Sequence, residues 1–308
     1  MAILLHTAAA DPRPWGDALA AVIPGLDVRI WPDIGRPEEI DVLLSWLPPE
    51  GILKQLPNLK LLQCWGAGID QLAIADLPAG LPVARIVNAD QTAGMVQYVL
   101  ATVLRYHRQL DVYACQQAER TWKRLPHADA RDRKIGVMGL GELGGASAKA
   151  LAGLGFETSG WARRPKPLPG VATYAGPGQL PAFLKSLDIL VCLLPLTRET
   201  ENLIDARLLA LLPKGAKLIN ASRGKLVVEA DLVAALDAGQ LGAATLDVAR
   251  EEPLPEASPL WVHPAITLTP HVSTIVTQRG TIPGIAENLR RLHAGEPLLH
   301  LIDRKAGY

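Results

Sequence analysis

Hydrophobic and polar positions follow two rhythms along the chain. The apolar runs AILLH (2–6), LDVRIW (26–31), DVLLSWL (41–47) and LKLLQCWG (59–66) are bounded by Gly, Pro and Asp. Short apolar runs with such borders predict buried strands of a parallel sheet, and the helical pattern WGDALAAVI (15–23) separates the first two. Residues 95–118, MVQYVLATVLRYHRQLDVYACQQA, keep helical spacing with no internal Gly or Pro. They predict one long helix joining two domains.

From Lys134 the alternation restarts with KIGVMGL, a helix from Glu142 to near Leu154, FETSGWA, DILVCLLP, KLINAS, ATLDV and ITLTP. Helix-like LPAFLKSL, DARLLALL and EADLVAALDAG lie between them, a six-element doubly wound pattern. Residues 277–296, TQRGTIPGIAENLRRLHAGE, predict a closing helix that returns to the first domain. The expected fold is therefore α/β: two Rossmann-like, doubly wound parallel-sheet domains with the active site in the cleft between them. The first domain takes 1–97 plus 277–308, and the second takes 98–276.

Composition narrows the classes. A chain of 308 residues with 49% hydrophobic and 20% charged positions suits a soluble globular protein with a core in each domain. Lys+Arg and Asp+Glu balance at 31 each, which argues against a nucleic-acid footprint or a polybasic membrane anchor but allows a local basic pocket. Cys64, Cys115 and Cys192 are far apart and form no metal-spaced cluster, so reduced thiols and no metal are expected. The first residues lack a basic region, and their apolar run is too short for a signal peptide or membrane span. A cytoplasmic protein is the expectation.

Gly139-Leu140-Gly141-Glu142-Leu143-Gly144 spells GxGxxG. Alone the pattern marks a packing turn as readily as a ligand site. Here it follows the strand KIGVMG and opens a helix, the context of a dinucleotide-binding turn. The first Gly permits the turn and the second lets backbone approach a pyrophosphate. The third lets helix pack on strand, with the helix N-terminus facing the anion.

About 20 residues on, where an acid reading a ribose hydroxyl is expected, FETSGWA ends at Ala162 and is followed by Arg163, Arg164 and Lys166. Basic residues before a proline read as a solvated loop when taken alone. At this offset they favour a 2′-phosphate, which a guanidinium pairs with and a carboxylate repels.

Ligands of open α/β sheets sit at the carboxyl ends of the strands. Arg223 follows KLINAS, Asp247 ends ATLDV, Glu252 comes shortly after, and His271 follows ITLTP. Singly these read as a helix cap, a loop acid or one of seven histidines. Converging on one edge, they suit reduction of a 2-oxo acid. Arg holds the carboxylate and polarises the carbonyl, His donates a proton as hydride arrives, and Glu orients the imidazolium.

The blocks NASRGKLVVEADLVAAL, LDVAREEPLPEASPLWVHP and ITLTPHVS resemble the signature blocks of the D-2-hydroxyacid dehydrogenase family. CWGAGIDQL (64–72) resembles that family's substrate-carboxylate loop. SWLPPE, TWKRLP, WARR and the terminal DRKAGY resemble its glyoxylate/hydroxypyruvate reductase A branch, so that the similarity runs nearly end to end. The resemblance implies an NADPH-preferring reductase of small 2-oxo acids, glyoxylate and hydroxypyruvate giving glycolate and D-glycerate, usually as a homodimer. It places Arg223, Glu252 and His271 in the catalytic roles. It gives the substrate carboxylate the N–H groups of Ala67 and Gly68, and it puts Asp247 near the nicotinamide. Leu194, Pro195, Ala221 and Ser222 would lie along the cofactor. Trp46 is implied either as a pocket wall or as core packing. Trp122, on the segment after the long helix, is a candidate to reach across a dimer interface by its position alone.

Two departures stand out. Gln97 occupies a position where many relatives carry Glu, and Ala162 replaces a hydroxyl residue beside the phosphate-reading Arg. The second removes a phosphate hydrogen bond, leaving NAD(H) possible beside NADP(H). Competing readings are a reductase of bulkier 2-oxo acids and a non-catalytic, corepressor-like cofactor sensor. An S-adenosyl-ligand enzyme would leave the TPH and REEP features unexplained.

Overall fold

Among the described residues, twelve strands form two sheets, and every strand pair within them is parallel. The computed structural model describes residues 1–7, 11–66, 68–69, 72 and 77–304. In chain order the elements are β1 (Ala2–His6), α1 (Arg13–Val22), β2 (Asp27–Ile30), β3 (Ile40–Ser45), α2 (Ile52–Gln55), β4 (Leu61–Gln63) and β5 (Val83–Ala84). Then come α3 (Ala89–His107), α4 (Leu110–Ala118), β6 (Lys134–Met138), α5 (Glu142–Gly153), β7 (Glu157–Ala162), β8 (Ala172–Ala175) and α6 (Gly176–Leu184). The rest are β9 (Ile189–Cys192), α7 (Ala206–Leu209), β10 (Ala216–Asn220), α8 (Glu229–Asp237), β11 (Leu241–Leu246), β12 (Ile266–Leu268) and α9 (Gln278–Ala294). Contacts divide the chain into two units, Met1–Gln91 with Val276–Tyr308, and Thr92–Ile275. The first boundary falls inside the first turn of α3.

The first unit has strand order β2-β1-β3-β4-β5. β1 and β3 are largely apolar on both faces because both are covered, as a parallel sheet requires, whereas the edge strand β2 carries Asp27 and Arg29. Leu4, Leu43 and Leu62 face one layer with Ile52 of α2, while Ile3, Leu5, Val42 and Leu44 face the other. That second layer includes Leu19 of α1 and Ile282, Ile285 and Leu289 of α9. Burying Ile285 and Leu289 is worth roughly 1.5–3 kcal/mol each. The buried Asn288 amide of α9 donates to Gln63 Oε1 (3.0 Å) and to the Leu299 carbonyl (3.1 Å), so the polar group inside this layer is satisfied.

The second unit has order β12-β11-β10-β9-β6-β7-β8. Ile135 and Val137 of β6 join a layer with Met95, Val99, Val103 and Tyr106 of α3 and with Ala148 and Leu151 of α5. The other face carries Met138, Leu190, Leu218 and Leu246 against Phe183 of α6, Leu208 of α7 and Leu232 of α8. The buried residues of α3 recur every three or four positions, the stripe that its periodicity predicts.

Several elements differ from expectation, and β5 (Val83–Ala84) and α2 (Ile52–Gln55) are two that the apolar runs of the first domain do not announce. The helix expected over 95–118 is two helices, parted at Gln109, whose φ of 55° lies in the left-handed region. Gln109 Nε2 donates to the Pro126 carbonyl (3.0 Å), a tertiary contact that holds the turn where no Gly or Pro announces one. β8 adds a seventh strand that the six-element reading leaves out, and its residues are polar or small enough to lack an apolar run. The run 59–66 is a strand only over Leu61–Gln63.

His107 closes α3 with 6% of its surface exposed, its ring 5.0 Å from Phe156 and 5.1 Å from His127. Burial holds its pKa below the ordinary 6.5, and the charges of His127, Arg133 and Arg108 act the same way against Asp129. The unfolded chain thus binds a proton more readily than the folded one. Stability is full above about pH 6.5 and falls as pH drops below it. Burial lowers the His6 pKa too, with the same sign. The melting temperature is expected to fall between about pH 7.5 and 5.5 by scanning calorimetry. His107→Phe should flatten part of that fall; an unchanged slope would contradict the assignment.

Candidate active site

In the second unit the residues singled out in the sequence come to the carboxyl ends of successive strands. His271 follows β12, Asp247 and Glu252 follow β11, and Ser222 and Arg223 follow β10. Leu194 and Pro195 follow β9, the glycine turn follows β6, and Arg163 follows β7. In space this becomes a line with acid–base groups at one end and the glycine turn and basic loop at the other. The winding direction reverses between β6 and β9, the switch point at which open α/β sheets bind ligands.

The turn is built from close approaches. Gly139 has φ +96°, and a Cβ there would lie 2.6 Å from the Leu193 carbonyl oxygen. A Cβ on Gly144 would fall inside the Gly139 carbonyl oxygen, so no side chain fits at the first turn of α5. At Gly141, the N-cap, a Cβ would meet nothing within 4 Å. Space is therefore open where backbone and the positive end of α5 would meet a pyrophosphate. Glu142 is exposed at the first turn and Leu143 is half-buried beside it.

Arg163, Arg164 and Lys166 are all exposed beyond β7. Arg163 Nη1 lies 3.7 Å from Glu199 Oε2, and its residue borders an open depression of about 460 Å³ with Tyr174, Gly176 and Gln179. The N-terminus of α6 opens there, so charge and helix dipole both favour an anion. A larger depression of about 700 Å³ is lined by Glu201, Asp205 and Glu229 with Arg207 and Arg250. Its acids disfavour an anionic substrate, and none of the sequence-identified site residues borders it. The side chains of Leu194 and Ala221 lie in the core, leaving only backbone for a ligand. Ser222 Oγ donates to the Leu194 carbonyl, tying the ends of β10 and β9 together.

The acid–base end is organised by Asp247, 1% exposed. Its Oδ1 accepts from Thr269 Oγ1 (2.6 Å) and Val272 N (2.8 Å), and its Oδ2 accepts from Ser273 N (2.9 Å). His271 N also donates to the Asp247 carbonyl (2.7 Å). His271 sits at φ +55°, a conformation unusual for a residue with a side chain and sustained here by those bonds. Its Nδ1 is 2.7 Å from Glu252 Oε2, and Glu252 Oε1 accepts from Ala249 N (3.0 Å). With Nδ1 engaged by the carboxylate, Nε2 is the atom left for proton transfer.

Arg223 is half-buried and extended (φ −138°, ψ 138°), with its carbonyl bonded by Asn220 Nδ2 (2.9 Å) and its Nη1 bonded to the Ser222 carbonyl (2.8 Å). A Cβ on Gly224 would overlap the Ala249 carbonyl and Arg250 N. The Arg223 loop therefore lies directly on the turn that carries Glu252. In the first unit, Trp46 follows β3 half-buried, its ring packed where a Cβ on Gly66 would be. The Gly68 carbonyl lies 3.9 Å from Cys64 Sγ, and Ala67 lies outside the described residues.

Residues 100–273 match the model of the D-isomer specific 2-hydroxyacid dehydrogenase NAD binding domain. The chain is 38% identical over 315 residues to glyoxylate/hydroxypyruvate reductase A of Serratia proteamaculans, covering all of both chains. The chain belongs to the D-isomer specific 2-hydroxyacid dehydrogenase family. It is therefore an NAD(P)-dependent oxidoreductase.

Two solved family members have the same fold. A D-isomer specific 2-hydroxyacid dehydrogenase from Xanthobacter autotrophicus, in complex with NADPH and MES, has a TM-score of 0.96 and 44% identity, covering 100% of this chain and 99% of that one. An NADPH-dependent glyoxylate/hydroxypyruvate reductase from Sinorhizobium meliloti, in complex with NADP and sulfate, has a TM-score of 0.91 and 34% identity, covering 100% and 99%.

Within this dehydrogenase chain, Thr269, Asn220, Gly224 and Ser273 carry the geometry yet were not singled out from sequence. Thr269 and Ser273 flank the histidine in TPHVS, and Gly224 follows the arginine in SRGK, so the signal lay in the neighbours of the chemical residues. Gly224→Ala is expected to destabilise the protein by about 1–3 kcal/mol or more, because the new methyl has no space. Its urea midpoint should fall and turnover should fall with it. A midpoint equal to that of the parent would contradict the close packing of the two turns.

Proposed function

We propose that this dehydrogenase reduces glyoxylate and hydroxypyruvate with NADPH, giving glycolate and D-glycerate. The observation that carries the reading is the 2.7 Å contact of His271 with Glu252 on the strand edge that also bears the glycine turn. The names printed for the Serratia and Sinorhizobium relatives support the substrate class. The NADPH and NADP complexes of relatives support the cofactor.

The open ground at Gly141 and the bare N-terminus of α5 fit a pyrophosphate, and Arg163 with Arg164 and Lys166 fits a 2′-phosphate. Backbone of Leu194, Pro195, Ala221 and Ser222 would line the dinucleotide, and Asp247 would lie towards its nicotinamide. When bound, the nicotinamide supplies a hydride to the carbonyl carbon. Arg223 holds the carboxylate of the 2-oxo acid and draws charge onto its carbonyl oxygen. His271 gives its Nε2 proton to that oxygen as the C–H bond forms, leaving a hydroxyl and a neutral imidazole. Glu252 keeps Nδ1 protonated and the ring oriented. Trp46, Gly68 and Ala67 remain the candidates for substrate contact from the first unit.

The reading includes a cytoplasmic homodimer. Among the described residues no helix is long and apolar enough to cross a membrane. α4 buries none of its residues, and Trp122 is fully exposed, as a surface awaiting a second copy would be.

Steady-state kinetics on a panel of 2-oxo acids test the proposal. The highest kcat/KM is expected with glyoxylate or hydroxypyruvate and with NADPH over NADH. A best substrate with an aromatic side chain, or no NADPH oxidation with any acid, would overturn it. The Arg163–Glu199 pair is exposed, is worth at most about 1 kcal/mol, and yields readily to a phosphate. Arg163→Ala should therefore raise the NADPH KM about tenfold or more and leave the NADH KM within about twofold. Equal losses for both would return the segment to a solvated loop.

A further inference from the structure

α3 carries two tyrosines eight residues apart on the face it turns to the sheet. Tyr106 OH pairs with Thr245 Oγ1 on β11 (2.7 Å), and Tyr98 OH pairs with Thr269 Oγ1 beyond β12 (2.7 Å). The first bond lies within the layer between helix and sheet. The second ends on the segment that presents His271. One turn before Tyr98, a Cβ on Gly94 would lie 3.8 Å from the Ser273 carbonyl oxygen and 3.9 Å from Thr274 Cα. Positions i and i+4 of one helix thus meet both ends of the segment 269–274.

Hydrogen-bond arithmetic gives the Tyr98 contact a direction. Thr269 has one hydroxyl proton and gives it to Asp247 Oδ1 at 2.6 Å. The Tyr98 phenol must then be the donor to Thr269. The chain runs from Tyr98 OH to Thr269 Oγ1 to Asp247 Oδ1, and the same carboxylate takes the Val272 and Ser273 amides. Each bond polarises the next, so the hydroxyl at one end strengthens the hold at the other. Burial, assisted by the Asp247 charge, pushes the Tyr98 hydroxyl up to about 12. The donor therefore keeps its proton throughout the neutral range.

We infer that Tyr98 is a positioning residue for the reaction: through Thr269 and Asp247 it locks the backbone of residues 271–273 and so aims the His271 imidazole. It touches neither substrate nor cofactor in this role. The inference rests on the proposed reductase chemistry for its kinetic readout but not for its structural one. Losing the hydroxyl leaves Thr269 held from one side only, and the segment gains freedom where His271 needs a left-handed φ. Such looseness lowers the rate of the proton-transfer step and leaves binding of the oxo acid, which falls to Arg223, in place.

The test compares Tyr98→Phe, Thr269→Val, Thr269→Ser and Tyr106→Phe in the full chain. Two measurements are made: turnover of glyoxylate with NADPH, and hydrogen exchange of the His271, Val272 and Ser273 amides. Tyr98→Phe and Thr269→Val should each lower kcat about tenfold with KM within about twofold, and should speed exchange at those amides. Thr269→Ser restores the hydroxyl and should stay near the parent in both. The double variant Tyr98→Phe/Thr269→Val should lose little more than Thr269→Val alone, because both act on one chain.

Tyr106→Phe removes a comparable bond elsewhere on α3 and should change stability only. Parent-like exchange in Tyr98→Phe would overturn the inference, as would parent-like kcat, or equal effects from Tyr106→Phe. If the parent reduced no 2-oxo acid, the reductase reading would fail, and exchange alone would decide the positioning role.

Discussion

A carboxylate removed from water has to be met by donors, and a donor left without an acceptor in the same place is as costly. Asp247 resolves both demands at once. Its oxygens take one hydroxyl and two amides, all from residues 269–273, while its own carbonyl takes the His271 amide. Hydrogen bonds to a charged group are worth roughly 1.5–3 kcal/mol each, so the three together exceed the roughly 1–3 kcal/mol cost of one residue in a sparsely populated backbone region. That surplus lets His271 occupy φ +55° and reach Glu252. The backbone on both sides of His271 is thus held by this buried carboxylate.

The remaining parts of the edge are fixed by close backbone approach. Gly144 lets α5 sit against the end of β6, and Gly224 lets the Arg223 loop sit on the turn bearing Glu252. Charge is then distributed along the edge by strand order. The half nearest β12 holds the His271–Glu252 pair, and the half nearest β7 holds basic side chains beside a helix N-terminus. A ligand with an oxidisable ring at one end and phosphates at the other matches that polarity. A protein of the 2-hydroxyacid dehydrogenase family needs such a ligand.

Much of this was legible in the sequence, for definable reasons. The parallel strands announce themselves because both faces are buried, giving apolar runs such as ILVC and KLIN between Gly, Pro and Asp. The glycine turn is readable because its spacing and its strand–helix context are local. Arg223, Glu252 and His271 are readable as types of residue at strand ends. What escaped depends on tertiary contact. The break at Gln109 is held by a bond to Pro126, seventeen residues away, and β8 is an edge strand of small and polar residues. Thr269 and Tyr98 are 171 positions apart, so no local pattern marks them as partners. Asp247 was expected beside the nicotinamide, and the structure adds that it is the anchor of the histidine segment.

The most direct test of the account is the turnover of Asp247→Asn with NADPH and glyoxylate at saturating concentrations, on protein whose circular dichroism matches the parent. Asparagine keeps the shape but turns one acceptor oxygen into a donor that faces the donors of residues 269–273. The account predicts a fall in kcat of about a hundredfold or more, as the histidine loses its imposed geometry. Turnover within a few-fold of the parent would show that His271 is aimed without this carboxylate, and would contradict the account.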